Sequence, residues 1–259
     1  MSGFYKIIWI IYTIILKIKH LIFFSSSYQS FCEVAHMQSV HQESFGKYKN
    51  CNLGKDIVIV GAGPTLQYYE PINSAIHIGV NRTYKLQDKI KFDFMFAHDY
   101  ANGESKTMIQ NISKMDCEKF FGITFGKPMV NRAIPECMTL GVHRYFISTP
   151  LNKMIYPDIR FYPLMDFHSV IFPAIHFALF TNPKRIYLVG CDVSHHGHFD
   201  TKNVKILDKN IDIMKIGYER VKEFVELHYP DTEIISINPV GLKGLFIDKY
   251  TKEFSPEKT

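Results

Sequence analysis

Several common signatures are missing from this sequence of 259 residues. Its five cysteines, Cys32, Cys51, Cys117, Cys137 and Cys191, are odd in number and include no C-x-x-C pair. That argues against a disulfide framework and against a cysteine zinc site, and it fits a reducing cytoplasm. No run of basic residues with interleaved aromatics occurs. The formal charge of +5 and the pI near 8.8 come from scattered lysines, so nucleic acid is not an expected partner and the small excess suits anionic small molecules or a membrane surface. The absence of an internal repeat or low-complexity tract excludes a repeat architecture.

An uncharged stretch long enough to span a bilayer is missing too. "FYKIIWIIYTIILKIKHLIFF", residues 4–24, has an uncharged centre of ten residues, Ile7 to Leu16, flanked by Lys6 and by Lys17, Lys19 and His20. A spanning helix needs roughly 20 such residues. For a cleaved signal, "SSSYQS" is the only candidate small-x-small site. The expectation is a monotopic helix over residues 1–24, peripheral on the cytoplasmic face of the inner membrane. Its lysines would snorkel while Trp9, Tyr12 and the isoleucines enter the interface; a core-packed helix is the alternative. Residues 25–54, rich in Ser, His and Gln, read as a connector, and 251–259 as a tail.

What is present is 46% hydrophobic and 14% aromatic residues, enough for one sizeable core with a short appendage. Over residues 55–250, short apolar runs alternate with helical patterns. Candidate strands are Ile57–Val60, Ala75–Val80, Phe92–Ala97, Lys119–Phe125, Tyr145–Ser148, Arg185–Val189 and Glu233–Ile237, several of them continuous apolar runs of the kind a parallel sheet buries on both faces. "DFHSVIFPAIHFALF" and "IDIMKIGYERVKEFVELHYP" carry helical spacing and end near Pro183 and Pro230. The fold class is therefore α/β: a doubly wound, mostly parallel, Rossmann-like sheet whose ligands bind at the carboxyl ends of the strands. Gly61, Asn81, Asp99 and Asp192 each follow a predicted strand and fall on that rim.

The turn Gly61-Ala62-Gly63-Pro64 lets backbone N–H groups approach a phosphate, with Pro64 at a first helical position where no donor is lost. The bland alternative is a tight strand-to-helix turn. The dinucleotide fingerprint would need a third glycine and an acidic residue after the second strand. Leu66 and Asn81 stand there, which counts against NAD or FAD. Asn81 can donate to and accept from a pyrimidine edge or a sugar hydroxyl, and Arg82 can neutralise a phosphate; otherwise Asn81 caps a loop and Arg82 is solvated.

Asp99 binds a sugar hydroxyl or a metal, or caps the following helix. Asp166 or Ser169 is a candidate N-cap that leaves first-turn amides open to an anion, and His176 reads as a packed core histidine. "LVGCDVSHHGHFDTKN", residues 188–203, is the most polar constellation. Asp192 ends a strand; His195, His196, His198 and Asp200 follow. Their spacing matches no standard zinc site, while a histidine has the right reference pKa to deprotonate a hydroxyl near pH 7.

Together, "IVIVGAGPTL", "GVNRTY", "FDFMFAHDY", "FHSVIFPAIHFALF", "RIYLVGCD" and "SINPVGLKGLF" resemble a superfamily. It joins the Campylobacter-type sialyltransferases of glycosyltransferase family forty-two to motility-associated flagellar glycosylation proteins and MptE-like 6-hydroxymethylpterin diphosphokinases. The resemblance spans about residues 55–245. It implies a nucleotide site at Gly61, Gly63 and Asn81, matches the serine opening the helix to Ser169, matches "GID" to Gly190-Cys191-Asp192, and matches an "FDT" to Phe199-Asp200-Thr201. Three departures are plain. Ala62 replaces an asparagine, the loop has no phosphate-binding tyrosines though His198 occupies the neighbourhood of one, and "KILDKNIDIMKIGYE" lacks the family's catalytic lid histidine.

The resemblance implies an inverting glycosyltransferase that moves a nucleotide-activated sugar, a CMP-linked nonulosonic acid such as sialic acid, onto a cell-surface glycan or lipid-linked acceptor. It needs no cofactor or metal, and its base would be His198, His195 or His196. In the diphosphokinase alternative, Asp99 and Asp192 would hold Mg²⁺ across ATP phosphates. A third alternative is a non-catalytic nucleotide-sugar-binding protein.

Overall fold

The computed structural model describes residues 3–98, 103–125, 141–148 and 155–254. Helix α1 (Gly3–Phe45) is followed by strands β1 (Asp56–Val60), β2 (Ile76–Val80) and β3 (Phe94–Ala97), helix α2 (Gly103–Ser113), and strands β4 (Glu118–Thr124), β5 (Val142–Ser148) and β6 (Leu164–Met165). Then come α3 (Ile171–Phe180), β7 (Arg185–Val189), a hairpin of β8 (His196–His198) and β9 (Thr201–Lys205), α4 (Asp208–His228), β10 (Glu233–Ile237) and β11 (Ile247–Lys249).

Among the described residues, nine strands form one sheet in the order β11-β10-β7-β1-β2-β3-β4-β5-β6. Every pairing in it is parallel. Both faces are buried, and β1 shows how: Ile57 and Ile59 join the cluster holding Phe45, Phe177 and Phe224, while Val58 and Val60 join the one holding Ile109 and Ile112 of α2. The alternation of a pleated strand thus sends successive residues of one apolar run into two different cores. All seven expected strands are in the sheet. The additional β6 and β11 span two and three residues, too short for any apolar run to mark them.

Residues 25–45, expected to belong to a connector, are helical as the continuation of α1. Polar composition concealed a face: Met37, His41, Ser44 and Phe45 are buried at the three-to-four-residue spacing of a helix stripe. The polar pair among them is satisfied. Ser44 Oγ donates to the Arg144 carbonyl at 2.6 Å. His41 Nε2 accepts from the Phe146 N–H at 2.7 Å while Nδ1 lies 2.7 Å from the Ile159 carbonyl, and burial drives its pKa down to about 4. Further towards the amino end, Ile11, Ile14, Ile15 and Ile18 are 46% to 52% exposed. Among the described residues no helix is long and apolar enough to cross a membrane.

Candidate active site

The chain proceeds from β1 outward to β6 and then returns to place β7 on the other side of β1. The crevice beyond the carboxyl ends of β1 and β7 is therefore the topological switch point. Gly61 and Gly63 sit on one side of it, Gly190 and Asp192 on the other.

These two strand ends are tied to each other. The N–H of Gly61 donates to the Val189 carbonyl and that of Gly63 to the Gly190 carbonyl, both at 2.7 Å. A Cβ on Gly61 would lie 2.5 Å from the Gly190 oxygen, and one on Gly63 2.6 Å from Asp192 Cγ. Gly190 adopts φ +62°. The glycines are thus required by close approach of backbone to backbone and to a carboxylate. The N–H of Thr65 donates to Asp192 Oδ2 at 2.9 Å, the Thr65 hydroxyl bonds Oδ1, and the Leu66 N–H returns to the Gly63 carbonyl. Pro64 does open a helical segment, but one of 3₁₀ type that ends at Tyr68. The expected phosphate cradle accordingly has most of its amides engaged inside the protein. Ala62 and Gly63 still line the cleft.

Asp192 is 6% exposed. Burial raises its carboxyl above the ordinary range, against the opposing effect of the two Thr65 hydrogen bonds and nearby His196. With both oxygens held by Thr65, its geometry is that of a brace for the first turn. A magnesium ion at Asp192 would have to share oxygens that Thr65 already engages. Asp99, the other expected magnesium ligand, lies outside the described residues. Among the described residues no cluster of three metal-ligating side chains occurs.

The cleft above these strand ends encloses about 920 Å³. Asn81 stands at its base with φ +45°, a left-handed conformation that asparagine tolerates better than most residues. Its Oδ1 is buried without a hydrogen-bond partner among the described residues. Arg82, expected to face a phosphate, bonds Asp200 Oδ1 at 2.9 Å, and Lys85 bonds Oδ2. Burial works to raise the Asp200 carboxyl, but the bonds from Lys85 and Arg82 outweigh it and hold it below the usual range. The triad fastens the hairpin to the segment after β2, and the Phe199 N–H adds a bond to the Ala62 carbonyl at 2.8 Å.

The hairpin separates the three candidate histidines. His196 and His198 line the cleft. His195 faces the start of α4, with Nδ1 3.3 Å from the Ile206 carbonyl and 3.4 Å from Asp208 Oδ1. Burial, then the Arg82 charge, lowers the pKa of half-buried His198, against a smaller pull from Asp200. Burial and the Arg82 charge thus favour its neutral form.

Ser169 and Asp166, which also line the cleft, form a turn before α3. The Ser169 N–H donates to the Asp166 carbonyl at 2.6 Å, and the Ile171 N–H reaches Ser169 Oγ at 3.4 Å. Ser169 lies beside the helix start, but the helix begins two residues later with Val170 at its N-cap position, and the amides expected to stay open are engaged: Ile171 N–H on Ser169 Oγ, Phe172 N–H on the Ser169 carbonyl and Ala174 N–H on the Val170 carbonyl, with proline at 173. His176 is a core histidine, buried, with Nε2 2.6 Å from the Tyr156 carbonyl and its pKa lowered to about 4 by burial. Among the cleft residues to which the sequence assigned no role are His98, recognisable at the end of the third strand in "FMFAHDY", and His168. His168 lies just past β6, and because that strand is only two residues long the strand-end rule had nothing to mark.

No known family model and no curated protein sequence matches the chain. Among solved structures it is similar to the sialyltransferase CstII from Campylobacter jejuni, studied in complex with a substrate analogue, CMP-3FNeuAc. The two are 12% identical, with a TM-score of 0.46 over 78% of this chain and 93% of that one.

Proposed function

We propose that this protein is a glycosyltransferase that uses a nucleotide-activated sugar, a CMP-linked nonulosonic acid in the reading suggested by its sequence resemblance. The observation that carries it is the cleft at the switch point: about 920 Å³, at the upper end of the range for small-molecule sites, with the unpartnered Asn81 Oδ1 at its base and histidines in its lining. A buried acceptor without a partner is costly unless a ligand satisfies it, and the amino group of cytosine or a ribose hydroxyl would do so.

In the transfer, His198 takes the proton of the acceptor hydroxyl as the acceptor oxygen bonds to the sugar carbon and the bond to the nucleotide phosphate breaks. His198 suits this task because it lines the cleft and its surroundings favour the neutral imidazole. The Ser169 turn at the head of α3 and the cationic Arg82 and Lys85 supply the positive field for the departing phosphate. The deciding experiment is a calorimetric screen of the purified protein against CMP, UDP, GDP and ATP with and without Mg²⁺. Preference for CMP without metal supports the reading. Magnesium-dependent preference for ATP replaces it with diphosphate transfer.

We also propose that α1 lies on an anionic membrane surface. Ile11, Ile14, Ile15 and Ile18 follow the i, i+3, i+4, i+7 spacing of one helix face, and Lys17 and Lys19 are exposed beside them. Deleting residues 1–24 should abolish sedimentation with phosphatidylglycerol-containing vesicles and leave CMP binding unchanged. Equal sedimentation of truncated and full-length protein overturns the assignment.

A further inference from the structure

We propose that His168 is the proton donor to the departing phosphate, in the same cleft as His198, so that two histidines divide the proton traffic of one transfer. This rests on the glycosyltransferase reading above.

The first support is conformational. Phe167 and His168 are consecutive non-glycine residues in the left-handed region, at φ +36° and +61°. A bulky residue there is an outlier, and such strain persists only where the surroundings enforce it. Here the enforcement is visible. The Phe167 ring is 1% exposed and stands edge-on to Phe172 at 5.1 Å. It fits against α4 because residue 217 is glycine: a Cβ there would lie 2.7 Å from Phe167 Cγ and 2.6 Å from Phe172 Cζ. Asp166 fixes the turn from beneath, accepting the Ser169 N–H through its carbonyl and the His168 N–H through Oδ1 at 3.4 Å. The imidazole that results is exposed in the cleft, so no burial of His168 itself compensates for its backbone. Strain that presents a polar side chain to a ligand cleft is the pattern of a functional site.

The second support is position. His168 adjoins Ser169 and the amino end of the ten-residue α3, where the helix dipole favours a phosphate although the first-turn amides are engaged by Ser169 and Val170. The step balances. The acceptor proton passes to His198, the sugar exchanges its phosphate oxygen for the acceptor oxygen, and the phosphate oxygen that leaves takes the proton of the His168 imidazolium. Asp166, whose carboxyl is raised mainly by burial and lowered by neighbouring His168, is a negative group beside that imidazolium. His98, His196, His198 and Asp192 also line the cleft, with Arg82 and Lys85, which are paired to Asp200.

The test is release of CMP from CMP-N-acetylneuraminic acid with water as acceptor, in His168→Asn and His168→Gly. Asparagine and glycine both tolerate the left-handed backbone, so fold and CMP affinity should be kept. Turnover should fall by roughly 10²-fold. Added imidazole should partly restore His168→Gly, which a merely structural role would not allow. Turnover within threefold of wild type, or loss of CMP affinity in place of turnover, overturns the proposal. Failure of the wild-type protein to bind or release CMP instead removes the donor assignment, and this proposal with it.

Discussion

The two sides of the cleft are held in opposite ways. Where β1 meets β7, almost every polar group has a partner within the protein: amides of the Gly61 turn on the Val189 and Gly190 carbonyls, the Asp192 carboxylate on Thr65. Around them, Asn81 Oδ1 has no partner among the described residues, and His168 is exposed on a strained backbone. A satisfied group fixes geometry and has little left for a ligand, whereas an unsatisfied one gains most when a ligand arrives. Residues that look most like a nucleotide motif are thus chiefly engaged in joining the two strand ends, and the groups left open to the cleft are the less recognisable ones.

Substitutions on the two sides should separate these roles. The largest effect is expected at the open side: His198→Ala should lower turnover on the order of 10² to 10⁴-fold with CMP affinity nearly unchanged. A drop in affinity equal to the drop in turnover would make His198 a binding group. On the scaffold side, Gly190→Ala should cost about 3 to 5 kcal/mol of folding stability, because its Cβ would lie 2.5 Å from the Gly61 oxygen at φ +62°. Urea denaturation reads this directly; unchanged stability with lost nucleotide affinity would move the glycine from scaffold to ligand contact.

Asn81→Gly should weaken CMP binding by about 1 to 3 kcal/mol while keeping the left-handed backbone that alanine would strain, and calorimetry on the folded variant measures it. The smallest effect belongs to the Arg82–Asp200–Lys85 triad. The Asp200 carboxyl is lowered on folding, so its contribution is full above the unfolded carboxylate range and is lost as pH falls through the lowered folded value. With Lys85 46% exposed, that contribution should stay below about 1 kcal/mol. Asp200→Asn should flatten this part of the acid-unfolding curve; an unchanged curve would show that the triad does not hold the hairpin.

The sheet was legible because a strand buried on both faces must be apolar throughout, and the runs at 57–60, 185–189 and 233–237 were marked as strands on that ground alone. The last turns of α1 were not, since Ser44 and His41 look solvent-facing until Arg144, Phe146 and Ile159, about a hundred residues on, supply their partners.

The sequence by itself determined the strand ends, and with them the rim that carries Gly61, Asn81 and Asp192, because apolar periodicity is a local property. Which of those residues remain available was decided only by the tertiary structure. Hydrogen-bond satisfaction depends on groups distant in the chain: Thr65 reaches Asp192 across 127 positions and Arg82 reaches Asp200 across 118. The left-handed turn that exposes His168 is likewise imposed by Phe167 packing where α4 has a glycine, a fit that no local propensity encodes.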